Sequence, residues 1–386
     1  MKKNVVYLLS HMYNNVSGGA GTYAHYLYNT FKNNEEFDFV LVTHDVDKST
    51  NYILKTKNYN NFYKNIEEYY KAVEIHSKEY TNIIVHANTA IELYYFKNTN
   101  FKLIANVNDY EVVDIYKFIP KFISWYKLSS IKKILGKIKA RYYEKNVLNN
   151  VDLIMTNSNY TKSRIIKGYG FDEDKVAVIH KAVDVSLFNK NHNSLNTRKY
   201  KNKLKTILFV GTDWQRKGLV ELLAAVKLLK DKDYYVNLTI LGIKNKGEIK
   251  KIKKIVEKLN LNNIDIHGLV TRDDIADYYI NSDIFVLPTK LEAFGVSYIE
   301  AMSSKLFTIG SNLGGVPEII KDSTNGLLLD HINKDEISTK IKIFLDEEID
   351  IEKIIVDAKK TADSFKTEVM LEKIHKEYIG LLINEN

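Results

Sequence analysis

Short apolar runs recur along the chain, separated by stretches in which apolar positions return every three or four residues. In the first half the runs are VVYLL (5–9), FVLV (39–42), IIVH (83–86), LIAN (103–106), LIMT (153–156) and VAVIH (176–180). Most are rich in β-branched or aromatic residues and lack polar alternation, as strands buried on both faces do. The helix-period stretches between them predict right-handed β-α-β units and a parallel sheet. Asn189 to Lys205, NKNHNSLNTRKYKNKLK, is polar, basic and almost free of apolar side chains, and reads as a linker. The pattern then restarts with TILFVG (206–211), LTILGI (238–243), IDIHG (264–268), DIFVLP (283–288), LFTIG (306–310) and GLLLD (326–330). Helices are predicted over 219–231, 246–260, 272–281, 297–305, 317–321 and 334–346, and an amphipathic helix over Val369 to Ile383.

The expected fold is therefore α/β, with two Rossmann-like halves in tandem. The first domain is placed at 1–190 and the second at 205–365, joined by the linker 189–205. The last helix, about 369–386, is expected to pack back on the first domain. At 386 residues the chain is long enough for two separate cores. It has no cysteine, which excludes disulfides and thiolate metal sites. No run of ~18 apolar residues appears, so no membrane-spanning helix is expected. The N-terminal MKKNVVYLLSHMYNN has a basic start but too short an apolar run for a signal peptide, and reads as a first buried strand.

Net charge is +8, and its distribution says more than its size. Residues 117–145 hold nine Lys and Arg against one acid, Glu144, which equals the whole excess. Phe118, Phe122, Trp125, Tyr126, Tyr142 and Tyr143 are interleaved with those cations. A basic stretch with aromatic anchors suits an anionic membrane surface, with Phe118, Lys121, Phe122, Trp125, Lys132 and Lys133 as the expected contacts. A plain solvated helix is the alternative, and a nucleic-acid partner is not expected.

Candidate chemistry begins at SGGAGTYAHYLYN, Ser17 to Asn29. Gly19-x-Gly21-x-x-Ala24 fits a dinucleotide fingerprint, whose glycines let backbone N–H groups at a helix start approach a phosphate. That fingerprint wants its first glycine at the strand end, whereas seven residues, His11 to Ser17, precede Gly18. A nicotinamide enzyme, a sugar-nucleotide or other phosphate site, and a structural turn all remain open at this point. Asp45-Val46-Asp47 resembles a D-x-D metal motif, but acids after a strand commonly form a turn. The histidines show no metal-ligand spacing.

The second half carries more. Residues 283–330 read DIFVLPTKLEAFGVSYIEAMSSKLFTIGSNLGGVPEIIKDSTNGLLLD. Glu292 and Glu300 form E-x7-E inside PTKLEAFGVSYIEAM, with Gly314, Gly315, Pro317, Glu318 and Gly326 following. FVGTDWQRKGLVELLAAVKLL (209–229) carries Arg216 and Lys217, and VIHKAVDVSLF covers 178–188. In these segments the chain resembles the retaining glycosyltransferases of family 4, which have the GT-B fold, with two Rossmann-like domains facing across a cleft. Read by themselves, Glu292 follows a strand end, where ligands of open α/β sheets bind. Ser297-x-x-Glu300 could also be a capping box.

The resemblance implies a metal-independent, retaining hexosyltransferase with a nucleotide sugar as donor, UDP-hexose favoured. It implies a glycan or lipid-linked acceptor, a part in bacterial cell-envelope polysaccharide or glycolipid synthesis, and a cytoplasmic place on the inner face of the plasma membrane. No cofactor is implied. The donor site would use Gly18, Gly19, Gly211, Arg216, Lys217, Gly268, Leu269, Glu292, Ala293, Phe294, Gly295, Val296 and Glu300. Arg216, Lys217, Glu292 and Asp109 would be catalytic, with Asn108 and Asp109 on the acceptor side. The expected reaction is a front-face displacement in which the leaving phosphate helps deprotonate the acceptor. Asn108-Asp109 stands where the family often has His-Asp, and Lys181-Ala182 where Asn-Gly is usual. A dehydrogenase, or a protein that binds nucleotide sugar without turning it over, are the rival classes.

Overall fold

The computed structural model describes residues 3–11, 13, 19–46, 50, 52–59, 61–108, 128–189 and 204–383, with the backbone alone at 19, 20, 128–137 and 273. The chain forms two compact units: Met1–His180 with Met370–Asn386, and Lys181–Val369.

The first unit contains β1 (Asn4–Leu9), α1 (Gly19–Phe31), β2 (Asp38–Thr43), β3 (Ile53–Lys55), α2 (Phe62–His76), β4 (Asn82–Ala87), a 3-10 turn (Ala90–Leu93), β5 (Lys102–Val107), α3 (Leu128–Leu148), β6 (Leu153–Thr156), α4 (Asn159–Tyr169) and β7 (Val176–Val178). Its seven strands lie in the order β3-β2-β1-β4-β5-β6-β7, every neighbouring pair parallel. Val5 to Leu9 are fully buried, which is why that run shows no polar alternation. The helices start where the sequence offers a cap: the side chains of Asn61 and Ser158 accept the backbone N–H groups of Lys64 and Thr161.

The second unit contains β8 (Lys205–Val210), α5 (Leu219–Lys230), β9 (Val236–Ile243), α6 (Lys246–Lys258), β10 (Ile264–Gly268), α7 (Arg272–Ile280), β11 (Ile284–Leu287), α8 (Val296–Ser303), β12 (Phe307–Ser311), α9 (Val316–Ile319), β13 (Leu327–Leu329), α10 (Lys334–Leu345) and α11 (Ile351–Asp363). Its sheet runs β10-β9-β8-β11-β12-β13, again all parallel.

Both sheets share one topological feature. The chain builds outward from the first strand of each sheet, then returns to the other side of that same strand. The reversals fall between β1 and β4 and between β8 and β11. Open α/β sheets bind ligands outside the carboxyl ends of the strands at such a reversal.

Residues 181–189, which the sequence pattern attached to the first domain, are part of the second unit. Val183, Leu187 and Phe188 are apolar and find their burial there: the Val183 N–H donates to the Phe365 carbonyl at 3.0 Å, and Phe188 lies edge-on to Tyr279. The expected linker, over 190–203, lies outside the described residues. The last helix, α12 (Thr367–Ile383), buries Met370, Leu371, Ile374, Tyr378 and Leu382. Within the first unit it is held by the Tyr378 hydroxyl on His86 Nδ1 at 2.6 Å and by His375 on Glu36 at 2.7 Å. Among the described residues no helix is long and apolar enough to cross a membrane.

Candidate functional site

The β8–β11 reversal gathers most of the charged residues singled out in the sequence. Gly211 directly follows β8, its N–H on the Leu241 carbonyl at 3.0 Å. The turn that follows carries Arg216 and Lys217 and ends at Gly218, where α5 begins. Gly218 has φ +80°, and a Cβ there would sit 1.9 Å from the Pro288 carbonyl oxygen. Only glycine lets this turn lie against the end of β11.

That close approach places the two cations. Arg216 donates through Nε to Asp213 at 3.1 Å and through Nη1 to the Leu291 carbonyl at 2.5 Å. Lys217 forms an ion pair with Glu292 Oε2, and the side chains of the pair are only 14% and 13% exposed. Glu292 is held from behind by the loop after β12. Its carbonyl accepts the Gly315 N–H at 3.2 Å, and Gly314, at φ +63°, would bring a Cβ to 1.9 Å from the same oxygen. Lys181 lies partly buried; loss of hydration lowers its pKa while the Glu292 charge pulls it back up.

The loop Glu292–Gly295 leads into α8, with Gly295 as N-cap and Val296 as the first helical residue. Glu300 projects from that helix, and its Oε2 accepts the Tyr279 hydroxyl at 2.9 Å. Burial raises the Glu300 pKa, opposed by that hydrogen bond and by the charge of Arg272. The capping box is not formed, because Ser297 lies inside the helix and Glu300 is held by a tyrosine.

The remaining sequence candidates are scattered. Gly268 ends β10, and Leu269 beyond it is 67% exposed. Phe294 is buried, its ring 5.6 Å from that of Phe365, so its side chain belongs to the core and only its backbone is offered to a ligand. Ala293 lies in the same loop. Gly19 opens α1 and Gly21 lies in its first turn, so the fingerprint glycines are helical. Asn108 follows β5, its carbonyl accepting from Asn157 Nδ2 at 3.2 Å. Gly18, Asp109, Phe118, Lys121, Phe122 and Trp125 lie outside the described residues, and Lys132 and Lys133 are described in α3 by backbone alone. The Asp45 N–H donates to Thr43 Oγ1 at 3.1 Å, as in a turn. Among the described residues no three His, Cys, Asp or Glu gather as a metal site would require.

Sequence reading missed three contributors: Asp213, which holds Arg216; Tyr279, which holds Glu300; and Lys181, seen only as a departure from Asn. Asp213 stands three residues before Arg216, a spacing that could have pointed to the pair. Tyr279 is 21 residues from Glu300 and has no local signal.

Known proteins extend this picture. Residues 17–187 match the sequence model of Glycosyltransferase Family 4, and residues 192–361 match that of Glycosyl transferases group 1. An uncharacterized glycosyltransferase of Methanocaldococcus jannaschii is 26% identical over 294 residues, covering 70% of this chain and 77% of that one. Further relatives, D-inositol 3-phosphate glycosyltransferases among them, are matched over less than two thirds of their own length. The sucrose-phosphate synthase of Thermosynechococcus elongatus superposes with a TM-score of 0.79 at 17% identity, over 98% of this chain and 99% of that one. Anabaena HepE, solved in complex with UDP-glucose, gives 0.72 at 15% identity, over 97% and 99%. At such identities the two structures establish the fold, and the two matched segments together span nearly the whole sequence. The chain belongs to the GT-B glycosyltransferases, with a first domain of Family 4 and a second domain of group 1.

Proposed function

We propose that this glycosyltransferase is a retaining, metal-independent enzyme that moves a hexose from UDP-hexose to a glycan or lipid-linked acceptor, in cell-envelope polysaccharide or glycolipid synthesis. The observation that carries the donor assignment is the meeting of Arg216, Lys217 and Glu292 at the β8–β11 reversal. In this reading Arg216 and Lys217 offset the charge that grows on the departing diphosphate. Glu292 and the N–H groups of Ala293 to Val296 hold the sugar. Glu300 takes the ribose diol, with Tyr279 fixing one of its oxygens. Gly211, Gly268 and Leu269 border the nucleotide, and the Gly18-Gly19 amides add donors at the start of α1. Asn108 and Asp109 serve the acceptor. The UDP-glucose complex of Anabaena HepE supports UDP-hexose as the donor.

The test is nucleotide release from UDP-, GDP- and ADP-sugars, with and without chelator. Release from a UDP-hexose that survives chelation is expected, and Lys217→Ala should slow it ~100-fold. Near-normal turnover by that variant refutes the site. A protein that binds the donor but never releases nucleotide is the non-catalytic alternative.

We propose further that the enzyme is cytoplasmic and touches the inner membrane surface through residues 117–145. Of the described residues there, Tyr142 is 66% and Ile138 39% exposed, which favours an apolar contact beside the cations. Failure to bind anionic liposomes at low salt removes this contact.

A further inference from the structure

Outside residues 117–145 the charges of the chain cancel, yet the second unit does not spread its cations evenly. Between Lys244 and Lys258 stand seven lysines and two acids, Glu248 and Glu257. All of these lysines but Lys244 lie on α6, whose N-cap is Asn245. The helix is divided lengthwise. Ile249, Ile252, Ile255 and Val256 recur at helical spacing and pack on the core of the unit. The opposite face carries Lys246, Lys250, Lys254 and Lys258 in one row of four-residue steps, with Lys251 and Lys253 beside it. All seven lysines are exposed, and none has an ion pair or hydrogen bond among the described residues. Glu257 is the one acid of the helix on that face; Glu248 lies on the inner side, half-buried.

Packing does not require such a face. Lysines four apart on a helix repel each other, and Lys246 in the first turn opposes the positive end of the helix dipole. A face that served solubility alone would set acids at the same spacing. The neighbouring helices do this, pairing Lys227 with Asp231 and Lys342 with Asp346.

We propose that the lysine face of α6 binds an anionic lipid surface. A cluster of this size on the polar side of an amphipathic helix is drawn to the negative potential of a bilayer, and each ammonium near the surface strengthens binding roughly 5-fold. The contact is electrostatic, because the apolar side of the helix is already packed on the core. The face has no ring on which a base could stack and no apolar side chain to anchor in a protein partner, so it fits a flat anionic surface better than nucleic acid or an acidic protein. α6 begins at the carboxyl end of β9, on the side of the sheet where Gly211 and Glu292 lie. For a lipid-linked acceptor, the contact keeps the donor-binding unit at the surface where that acceptor lies. The binding itself needs neither that acceptor nor the contact through residues 117–145.

The experiment measures co-sedimentation of the full chain with vesicles of phosphatidylcholine alone or mixed with phosphatidylglycerol, at low salt. The chain has no cysteine, so Glu257→Cys can carry a polarity-sensitive dye in the middle of the lysine face. Wild type should bind only the mixed vesicles and leave them as salt is raised. The dye should shift to the blue on binding. Lys250→Gln/Lys254→Gln/Lys258→Gln should bind ~100-fold more weakly, while arginine at the same three positions should bind as wild type does. The glutamine variant should melt no lower than wild type, since it relieves repulsion along the row. Binding by that variant within a few-fold of wild type, equal binding to pure phosphatidylcholine, or an unmoved dye overturns the proposal. So does tighter binding to a DNA duplex at the same salt, which assigns the face to nucleic acid. Lys132→Gln/Lys133→Gln tests the other contact separately: loss in that variant alone leaves the membrane to residues 117–145 and removes it from α6.

Discussion

His86 should make the first unit acid-sensitive by a calculable amount. It lies on β4, fully buried, with Nδ1 on the Tyr378 hydroxyl of α12. Burial depresses its pKa from 6.5 to about 4, and the neighbouring Asn106 opposes this only in part. In the unfolded chain the ring takes up a proton near 6.5, so between that value and about 4 the unfolded state binds more protons. Stability is therefore complete above the unfolded value and is lost as pH falls through the window. Each factor of ten in proton affinity is worth about 1.4 kcal/mol, so the whole shift amounts to about 3 kcal/mol. About 2.5 kcal/mol of it should already be gone at pH ~4.5. The perturbation is His86→Phe, which cannot titrate. At neutral pH it is less stable by about 1–3 kcal/mol, because Tyr378 loses its partner. The assay is hydrogen exchange by mass spectrometry on peptides from β4 and α12, which reads the opening free energy of this unit separately. The gap between wild type and variant should shrink or reverse on going to the acidic condition. A gap that is the same at both pH values refutes the reasoning, since every other titrating group cancels in the difference.

Three further outcomes follow from the second unit. Gly314→Ala puts a methyl 1.9 Å from the Glu292 carbonyl oxygen at a positive φ, and should cost about 2 kcal/mol or more; an unchanged melting temperature contradicts it. Tyr279→Phe removes a hydrogen bond that lowers the Glu300 pKa, so the KM for donor should rise, most steeply as pH falls, with kcat little changed. Steady-state kinetics across pH check this, and a KM ratio independent of pH counts against it. Glu292→Gln releases Lys217 from its carboxylate, so UDP alone should bind ~10-fold tighter by calorimetry while turnover drops; weaker UDP binding contradicts the assignment of Lys217 to the diphosphate.

Much of the fold is visible in the residue pattern because both sheets are parallel and covered on both faces. Such strands must be apolar throughout, and Val5 to Leu9 or Ile284 to Leu287 can hardly be read otherwise. Elements that escaped the reading are those whose stability is not local. Ile53–Lys55 is a three-residue edge strand held by pairing with Leu41 to Thr43. Ile351–Asp363 alternates lysines and acids over a narrow apolar stripe, and buries Ile354, Ile355, Ala358 and Ala362. The division near residue 181 was misplaced because the long polar run that follows draws attention away from Val183, Leu187 and Phe188, whose partners come from α7 and from Phe365.

The two reversal points were unequally legible for a physical reason. At β8–β11 the chemistry sits in local sequence: Arg216-Lys217-Gly218 must form a turn, and Glu292 to Gly295 must form a loop into a helix. Glycines at Gly218 and Gly314 then mark where backbone meets backbone. Each segment announces itself, and topology only has to bring the two together. At β1–β4 neither partner does so. His11 is one histidine in a polar stretch, and Glu92, three residues after Thr89, satisfies a turn and reads as nothing more. Their meeting arises from the register that pairs Leu9 with Ala87 and sets the two strand exits side by side. The Glu92 carboxylate caps that turn by accepting the Thr89 N–H on one oxygen, and it takes the His11 backbone N–H and imidazole on the other. The same topology thus puts an ion pair, Lys217 with Glu292, at one reversal and a hydrogen-bonded pair, His11 with Glu92, at the other.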